Sequence, residues 1–289
     1  NNLLGHYQNQ QYDEAEELAK SIIRDCPRHQ FSWKVLGAVL GQTGRPSEAL
    51  VVIQKEIALF PQDAEAYSNL GVTLQVLGRL EEAEKSCRQA VEFKKDFPEA
   101  HYNLGNTLQK QGRLEEAELS YREAIGLKST YVEAHNNLGI TLQELGKLKE
   151  SEVAYRQAIE LKVGSAEVHY NLSITLQRLG RFEEAEASCR QAIALRAEYP
   201  EAHGNLGVTL QELGRLEEAE ASYKQAIALR AEYPETYCNL GITLQKLGRL
   251  KEAEAAYNRA IALKPEYAQA HNNLGITLEE MGRSGDAEE

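Results

Sequence analysis

The sequence repeats a stretch of 34 residues, and this period restricts the possible folds more than any other feature. The stretch from His101 reads HYNLGNTLQKQGRLEEAELSYREAI, and 34 residues later the stretch from His135 reads HNNLGITLQELGKLKESEVAYRQAI. When Ala64 is numbered position 1, the period runs to the end of the 289 residues without an insertion. A period of this length is typical of a solenoid, in which each repeat is one supersecondary structure that stacks on its neighbours.

Several positions of the repeat hardly vary from Ala64 onward. Position 7 is Leu, position 8 is Gly or Ser, position 15 is Gly and position 27 is Ala. Position 6 is Asn in every copy, at Asn69, Asn103, Asn137, Asn171, Asn205, Asn239 and Asn273. The run RLEEAE around position 18 mixes both charges, and we expect it to form a solvated turn.

One repeat predicts two helices joined by a short turn. The segment PEAHGNLGVTLQEL begins with Pro200 and Glu201, which suit a first helical turn, and stops at Gly214, a common residue after a helix C-terminus. In the following segment LEEAEASYKQAIALR, apolar residues recur mostly at spacings of three and four. Because the turn is short, we expect the two helices to be antiparallel, with small residues at positions 8, 20 and 27 allowing close approach.

The sequence therefore predicts an all-α solenoid of antiparallel helix pairs. We expect a partial repeat over residues 1–29, seven full repeats over residues 30–267 and a partial repeat over residues 268–289. Residues 1–29 fit the repeat only in its second helix, and Glu56 departs from the small residue expected at position 27. Since the chain lacks an initial Met and stops within a repeat, we expect it to be part of a longer protein.

The repeated residues resemble the motif of the tetratricopeptide repeat family at positions 4, 7, 8, 11, 20, 24 and 27. The segments HGNLG, YCNLG and HNNLG, together with RLEEAE, are also similar to the repeat arm of the O-linked N-acetylglucosamine transferases. This resemblance implies a right-handed superhelix whose concave groove holds polypeptide against a ladder of asparagines. It does not imply transferase activity, because these residues contain no counterpart of the glycosyltransferase domain.

The asparagines can also be placed from helix geometry. At 100° per residue, positions 3, 4, 7, 11 and 14 share an apolar face, whereas positions 2, 5, 6, 9, 12 and 13 share the opposite face. Asn is a mediocre helix former that carries both a donor and an acceptor, so its recurrence favours a hydrogen-bonding role. We expect the seven asparagines to bind the backbone of an extended polypeptide, with glutamates at position 2 along one edge of the groove: Glu99, Glu133, Glu167, Glu201 and Glu235. Two alternatives remain open, namely that the asparagines tie neighbouring repeats together or that duplication copied them without a role.

The histidines and cysteines predict packing roles. His101, His135, His169, His203 and His271 all occupy position 4, on the apolar face. Adjacent copies should lie about 8–10 Å apart, too far to share a metal that needs nitrogen ligands at about 2.1 Å. Cys87 and Cys189 replace tyrosines at position 24 and are expected to be buried. We also find no nucleophile elbow, phosphate loop or ligand cluster, so we expect no catalytic residue, no cofactor and no metal, with any catalytic domain outside this chain.

The composition of the chain restricts the classes of partner that it is expected to bind. The net charge of −12 opposes nucleic-acid backbones, and no apolar run approaches the roughly 18 residues that span a membrane. Protein or peptide segments are therefore the expected partners, and the absence of a signal-peptide pattern predicts a cytoplasmic location. The predicted function is a protein–protein interaction scaffold, with the substrate-binding arm of a larger enzyme as one form of it. The alternative is a self-assembly module that stacks through exposed repeat ends.

Overall fold

The structure is a computed structural model that describes residues 2–161 and 165–282. The described residues form 17 α-helices and contain no β-strand, which confirms the predicted all-α fold. They divide into two compact units, residues 1–146 and residues 147–289. The partition into seven full repeats between two partial ones stays a prediction, and its last part, residues 283–289, lies outside the described residues.

The described residues of the first unit form nine helices. They are α1 (Asn2–Gln8), α2 (Tyr12–Asp25), α3 (Gln30–Gln42), α4 (Pro46–Leu59), α5 (Ala64–Val76), α6 (Leu80–Phe93), α7 (Pro98–Lys110), α8 (Leu114–Leu127) and α9 (Val132–Glu144). Consecutive helices pack against each other, and the first helices of neighbouring pairs, such as α5 and α7, also touch. The short helix α1 packs on α2 and α3, in the segment where the sequence matched only a second helix.

The described part of the second unit contains eight helices. They are α10 (Leu148–Leu161), α11 (Ala166–Arg178), α12 (Phe182–Leu195), α13 (Pro200–Glu212), α14 (Leu216–Leu229), α15 (Pro234–Lys246), α16 (Leu250–Leu263) and α17 (Ala268–Glu280). The pattern of contacts is the same as in the first unit: each helix touches the next along the chain, and first helices touch first helices. Odd-numbered helices are thus the first helices of pairs, and even-numbered helices are the second.

A glycine at position 15 follows each first helix from α3 onward, whereas the corresponding residue after α1 is Gln10, with φ of +58°. Gly214 has φ of +75°, and the N–H of Arg215 donates to the carbonyl oxygen of Leu210 at 2.9 Å. Because side chains disfavour this left-handed conformation, glycine is favoured where the chain turns from one helix into the next. The eight glycines at this position have φ between 72° and 75°.

The core of each pair is built around position 24. The rings of Tyr121 and Tyr223 are fully buried, as are the thiols of Cys87 and Cys189, which confirms the predicted core role of these cysteines. A position 8 glycine lies directly against Cys87, Tyr121 and Tyr223, whereas position 8 in the repeat of Cys189 is Ser173. Close approach of the two helices therefore depends on a missing side chain in the first helix and a large or polarisable one in the second.

The arginine of RLEEAE connects consecutive pairs, so the expected solvated turn is an incomplete description. Arg215 Nη1 lies 2.6 Å from Glu186 of the preceding second helix, and its Nη2 lies 2.6 Å from Glu218 of its own helix. Position 16 arginines bridge to a position 21 glutamate in the same way at Arg45, Arg113, Arg181 and Arg249. These glutamates keep only 9–16% of their side-chain exposure.

The position 4 histidines, predicted to pack on the apolar face, differ in burial. His135 is buried, His101 is half-buried and His271 is exposed. The Nε2 atom of each hydrogen-bonds the backbone carbonyl oxygen six residues earlier, as His135 does with Ser129 at 2.9 Å. Position 4 therefore attaches the start of a first helix to the loop before it.

Two features are absent from the residues that the structure describes. No helix there is both long enough and apolar enough to cross a lipid bilayer. No group of three or more His, Cys, Asp or Glu side chains there could hold a metal ion.

Candidate functional site

The candidate site is the helix face that carries the position 6 asparagines. Asn69 is exposed, whereas the other six asparagines are half-buried. Their partial burial arises because first helices of neighbouring pairs pack side by side within each unit. The asparagines thus lie where one repeat meets the next and still reach solvent.

The amide nitrogens of several asparagines bond to the preceding first helix. Asn103 Nδ2 donates to Ser68 Oγ at 2.9 Å, and Asn205 Nδ2 donates to Ser173 Oγ at 2.7 Å. Asn137 Nδ2 donates to Asn106 Oδ1 at 2.8 Å. At these positions the asparagines do join neighbouring repeats, which was one of the alternatives left open by the sequence.

Two asparagines make no side-chain hydrogen bond to the described residues. For Asn239 the reason is local: the counterpart of Ser173 in the preceding first helix is Gly207, and the counterpart of Ser68 is Gly204. For Asn69 the counterpart of Ser68 is Lys34, whose ammonium is held by Asp63 and Glu65. The carboxamides of Asn69 and Asn239 are therefore available to a ligand in full.

The bonded asparagines keep an available acceptor. No described residue donates to the Oδ1 of Asn103 or of Asn205, although each Nδ2 is engaged. An amide carries one acceptor oxygen and two N–H donors. Each of these carboxamides is thus fixed through its nitrogen while its oxygen remains open to an incoming N–H group.

A second set of bonds supports this face. Gln75 Nε2 donates to the backbone oxygen of Asn103 at 2.9 Å and to Thr107 Oγ1 at 2.5 Å. Gln177 makes the matching contacts with the backbone oxygen of Asn205 and with Thr209, at 3.0 and 2.6 Å. Sequence reasoning assigned no role to these residues, although Thr at position 10 recurs in all seven copies from Ala64 onward and Gln at position 12 in six of them.

Three of the five position 2 glutamates of the candidate site lie near a basic side chain. Glu99 lies 3.5 Å from Lys128, Glu235 lies 3.6 Å from Lys264, and Glu201 contacts Arg230. These cations also sit over aromatic rings, as Lys128 does at 4.7 Å from the ring centroid of Tyr131. Glu133 and Glu167 are exposed. Their charges therefore reach solvent.

The stacked helix pairs, the glycine turns and the repeated contacts between first helices define an α-helical repeat protein. Models of the tetratricopeptide repeat match residues 52–85, 76–112, 98–131, 132–162, 164–232, 200–266 and 234–289. The chain belongs to the tetratricopeptide repeat family. No curated protein matches the sequence, and the similarity to the transferase arm stays a prediction.

Solved structures support the same fold. YrrB, described as a TPR protein with an unusual peptide-binding site, is 22% identical with a TM-score of 0.56, over 65% of this chain and 96% of its own. The Cut9–Hcn1 hetero-tetramer of APC/C matches with a TM-score of 0.68 at 14% identity, over 92% of this chain and 52% of the other. PilF of Pseudomonas aeruginosa matches with a TM-score of 0.63 at 18% identity, over 73% of this chain and 96% of its own. At these identities the similarity concerns the fold alone.

Proposed function

We propose that this chain is a protein-interaction scaffold that binds extended polypeptide along the face carrying the position 6 asparagines. The observation that carries the proposal is the open Oδ1 of Asn103 and Asn205, each held in place by its bonded amide nitrogen. A peptide backbone offers one N–H donor per residue, which is the group these oxygens lack. Because the carboxamides are already oriented, little side-chain entropy is lost when a ligand binds.

The spacing of the asparagines suits an extended ligand. Packed helices stand about 8–10 Å apart, and an extended chain advances about 3.3 Å per residue. One asparagine would therefore meet roughly every third residue of a bound peptide. Contacts of this kind hold the backbone and leave the choice of side chains to other positions. Joined to a catalytic domain, the same face would serve as a substrate-binding arm, and this chain itself would contribute binding rather than catalysis.

Charge gives the scaffold a preference among peptides. The chain carries a net charge of −12, and Glu133 and Glu167 are exposed at the edge of the asparagine face. Basic or hydroxyl-rich peptides should bind better than acidic ones, and the difference should shrink as salt rises. A peptide array probed at low and high salt tests this preference. Stronger binding of acidic peptides at low salt would contradict it.

The central test uses the two asparagines that carry no inter-repeat bond. A peptide selected from the array is titrated against the wild type, Asn69→Ala and Asn239→Ala. Because neither side chain bonds a described neighbour, the variants should fold normally and yet bind about 2–10-fold more weakly, as expected for one lost hydrogen bond. Leu119→Ala is the matched control, since Leu119 is 65% exposed on the second helix α8 and should leave the affinity unchanged. Affinities of both asparagine variants equal to that of the wild type would overturn the proposal.

Self-association remains a second candidate function, favoured by an apolar surface around α1–α3. Leu4 and Phe31 are 43% and 42% exposed beside a cavity of about 540 Å³ that Leu3, Leu18 and Ile22 also line. Light scattering across protein concentration, with Phe31→Glu as comparison, tests this candidate. Self-association would be favoured over the scaffold if the molar mass of the wild type rises with concentration while that of the variant stays at the monomer value.

A further inference from the structure

A cavity of about 430 Å³ lies between α1, α3, α4 and α5 of the first unit. Val76 and Val72, which are 67% and 40% exposed, lie at its open side together with Asn69. Ile53 and Glu56, which are 3% and 0% exposed, also line it. This change in exposure places the valines at the mouth and Glu56 at the floor.

Three departures from the repeat create this cavity. Position 12 is Gly41 instead of the Gln found in the six following copies, and a β-carbon there would meet no atom within 4 Å. Position 24 is Ile53 instead of Tyr or Cys, and position 27 is Glu56 instead of Ala. The substitutions are 12 and 3 residues apart in sequence, yet all three side-chain positions line the same space. Their convergence indicates a built site rather than sequence drift in one repeat.

The Glu56 carboxyl accepts no hydrogen bond from the described residues, and the neighbouring Asp63 carboxylate interacts with its protonated form. The Glu56 side chain is fully buried, and neither Oε1 nor Oε2 makes a hydrogen bond. Burial, with the nearby charge of Asp63, raises the pKa of this carboxyl to about 7. A buried carboxyl without a donor is costly, and a cation that brings its own N–H donors would satisfy both oxygens.

The surrounding charges favour a cation. Acidic groups near Glu56 are Asp63, which caps α5, and Glu65 in its first turn. The one basic side chain that lines the cavity is Lys34 of α3, and its Nζ is committed to Asp63 at 3.1 Å and to Glu65 at 2.5 Å. Tyr7 of α1 is the remaining titratable side chain in the lining. The surroundings of Glu56 thus carry more negative than positive charge, and apolar side chains such as Ile53 and Val72 form part of the cavity wall.

We propose that this cavity binds a protonated primary amine on an aliphatic stem, as in a lysine side chain of a bound polypeptide. The stem packs against Val72 and Ile53. The ammonium donates to the Glu56 carboxylate after this side chain turns into the cavity, because neither of its oxygens is accessible in the present conformation. Asn69, whose carboxamide is available at the mouth, holds the backbone from which the side chain enters. This inference rests on the proposed scaffold function, because the bound polypeptide is the source of the amine. It deepens that function by naming lysine as one side chain that the scaffold selects.

The test uses a small probe that cannot span the asparagine face. Nα-acetyl-lysine N-methylamide is titrated into the full chain while the methyl signals of Val72, Val76 and Ile53 are followed by NMR. The expected result is a saturable shift of these signals, with Nα-acetyl-norleucine N-methylamide, which has the stem without the ammonium, binding at least about fivefold more weakly. Affinity for the lysine probe should also rise between pH 6 and pH 8 as Glu56 ionises.

Two variants complete the test. Glu56→Ala installs the residue found at this position in six other copies and should fold, while Glu56→Gln keeps the shape and removes the charge. Both should lose the preference for lysine over norleucine. Equal binding of the two probes by the wild type, or an unchanged preference in both variants, overturns the cavity proposal. The scaffold proposal is judged separately by Asn239→Ala, which lies in the other unit, so the two failures are distinguishable.

Discussion

Gly207 lies so close to the Tyr223 ring that a β-carbon on this glycine would stand 2.5 Å from Cε1. Tyr223 is fully buried, so its ring cannot move aside into solvent. We predict that Gly207→Ala lowers the free energy of unfolding by about 1–3 kcal/mol, the usual cost of overpacking, although Ala is the better helix former. Urea unfolding followed by circular dichroism measures this change.

Gly204 provides the control, three residues earlier in the same helix. A β-carbon on Gly204 would meet its nearest neighbour, Thr236 Oγ1, at 3.5 Å, which is ordinary contact. Gly204→Ala should therefore stabilise the chain by up to about 1 kcal/mol through helix propensity. If the two alanine variants were equally stable, close packing at position 8 would not be the reason for its glycines.

The ion pair between Arg215 and Glu186 should contribute more to thermal stability than the contacts of Arg79 do. Arg79 pairs only with Glu82 in its own helix, because position 21 of the preceding repeat is Leu50. Arg215→Leu, by contrast, leaves the half-buried Glu186 carboxylate without its cross-repeat partner. We predict a larger drop in Tm for Arg215→Leu than for Arg79→Leu at low salt. Thermal melts at low salt and at about 1 M salt check this, since the gap should narrow as salt screens the pairs.

Local features of the fold could be predicted from the sequence because they depend on neighbours along the chain. Pro200 and Gly214 delimit one helix through their own backbone preferences, and the helix spans Pro200–Glu212 as expected. Contacts between stacked pairs could not be predicted in the same way. Arg215 and Glu186 are 29 residues apart, and their pairing depends on how one helix pair stacks on the next.

The surroundings of the position 6 asparagines likewise could not be predicted from the sequence. A single-helix projection placed Asn205 on an open surface, because such a projection contains no neighbouring helix. In the structure, α11 packs beside α13, which half-buries Asn205 and supplies Ser173 as its acceptor. Glu56 was recognised as a departure from the repeat, but its cavity depends on Gly41 and Ile53 lying nearby in space.

The buried Glu56 should make stability fall as pH rises. Its pKa is raised to about 7 in the folded chain from an ordinary value of 4.5, so the folded state holds this proton more tightly than the unfolded state. The stabilising effect of the proton is complete below about pH 4.5 and is lost as pH passes through about 7. We predict that Glu56→Gln has stability similar to the wild type at pH 4.5 and gains about 3 kcal/mol relative to it above pH 8, at about 1.4 kcal/mol for each step of one in pKa. Urea unfolding of both proteins across this range gives the difference, and parallel stability curves would contradict the prediction.

Substitution of Asn205 and of Asn239, which lie in the same unit, distinguishes the stabilising role of the asparagines from their ligand-binding role. Both are half-buried at position 6, but Asn205 donates to Ser173 and Asn239 has no side-chain partner among the described residues. Asn205→Ala should lower the free energy of unfolding by about 0.5–1 kcal/mol, because the lost hydrogen bond outweighs the gain in helix propensity. Asn239→Ala should leave stability unchanged or raise it by about half a kcal/mol, since only the propensity term remains. Urea unfolding of the two variants side by side decides whether the inter-repeat bond stabilises the chain, and an equal rise in both would mean that it does not.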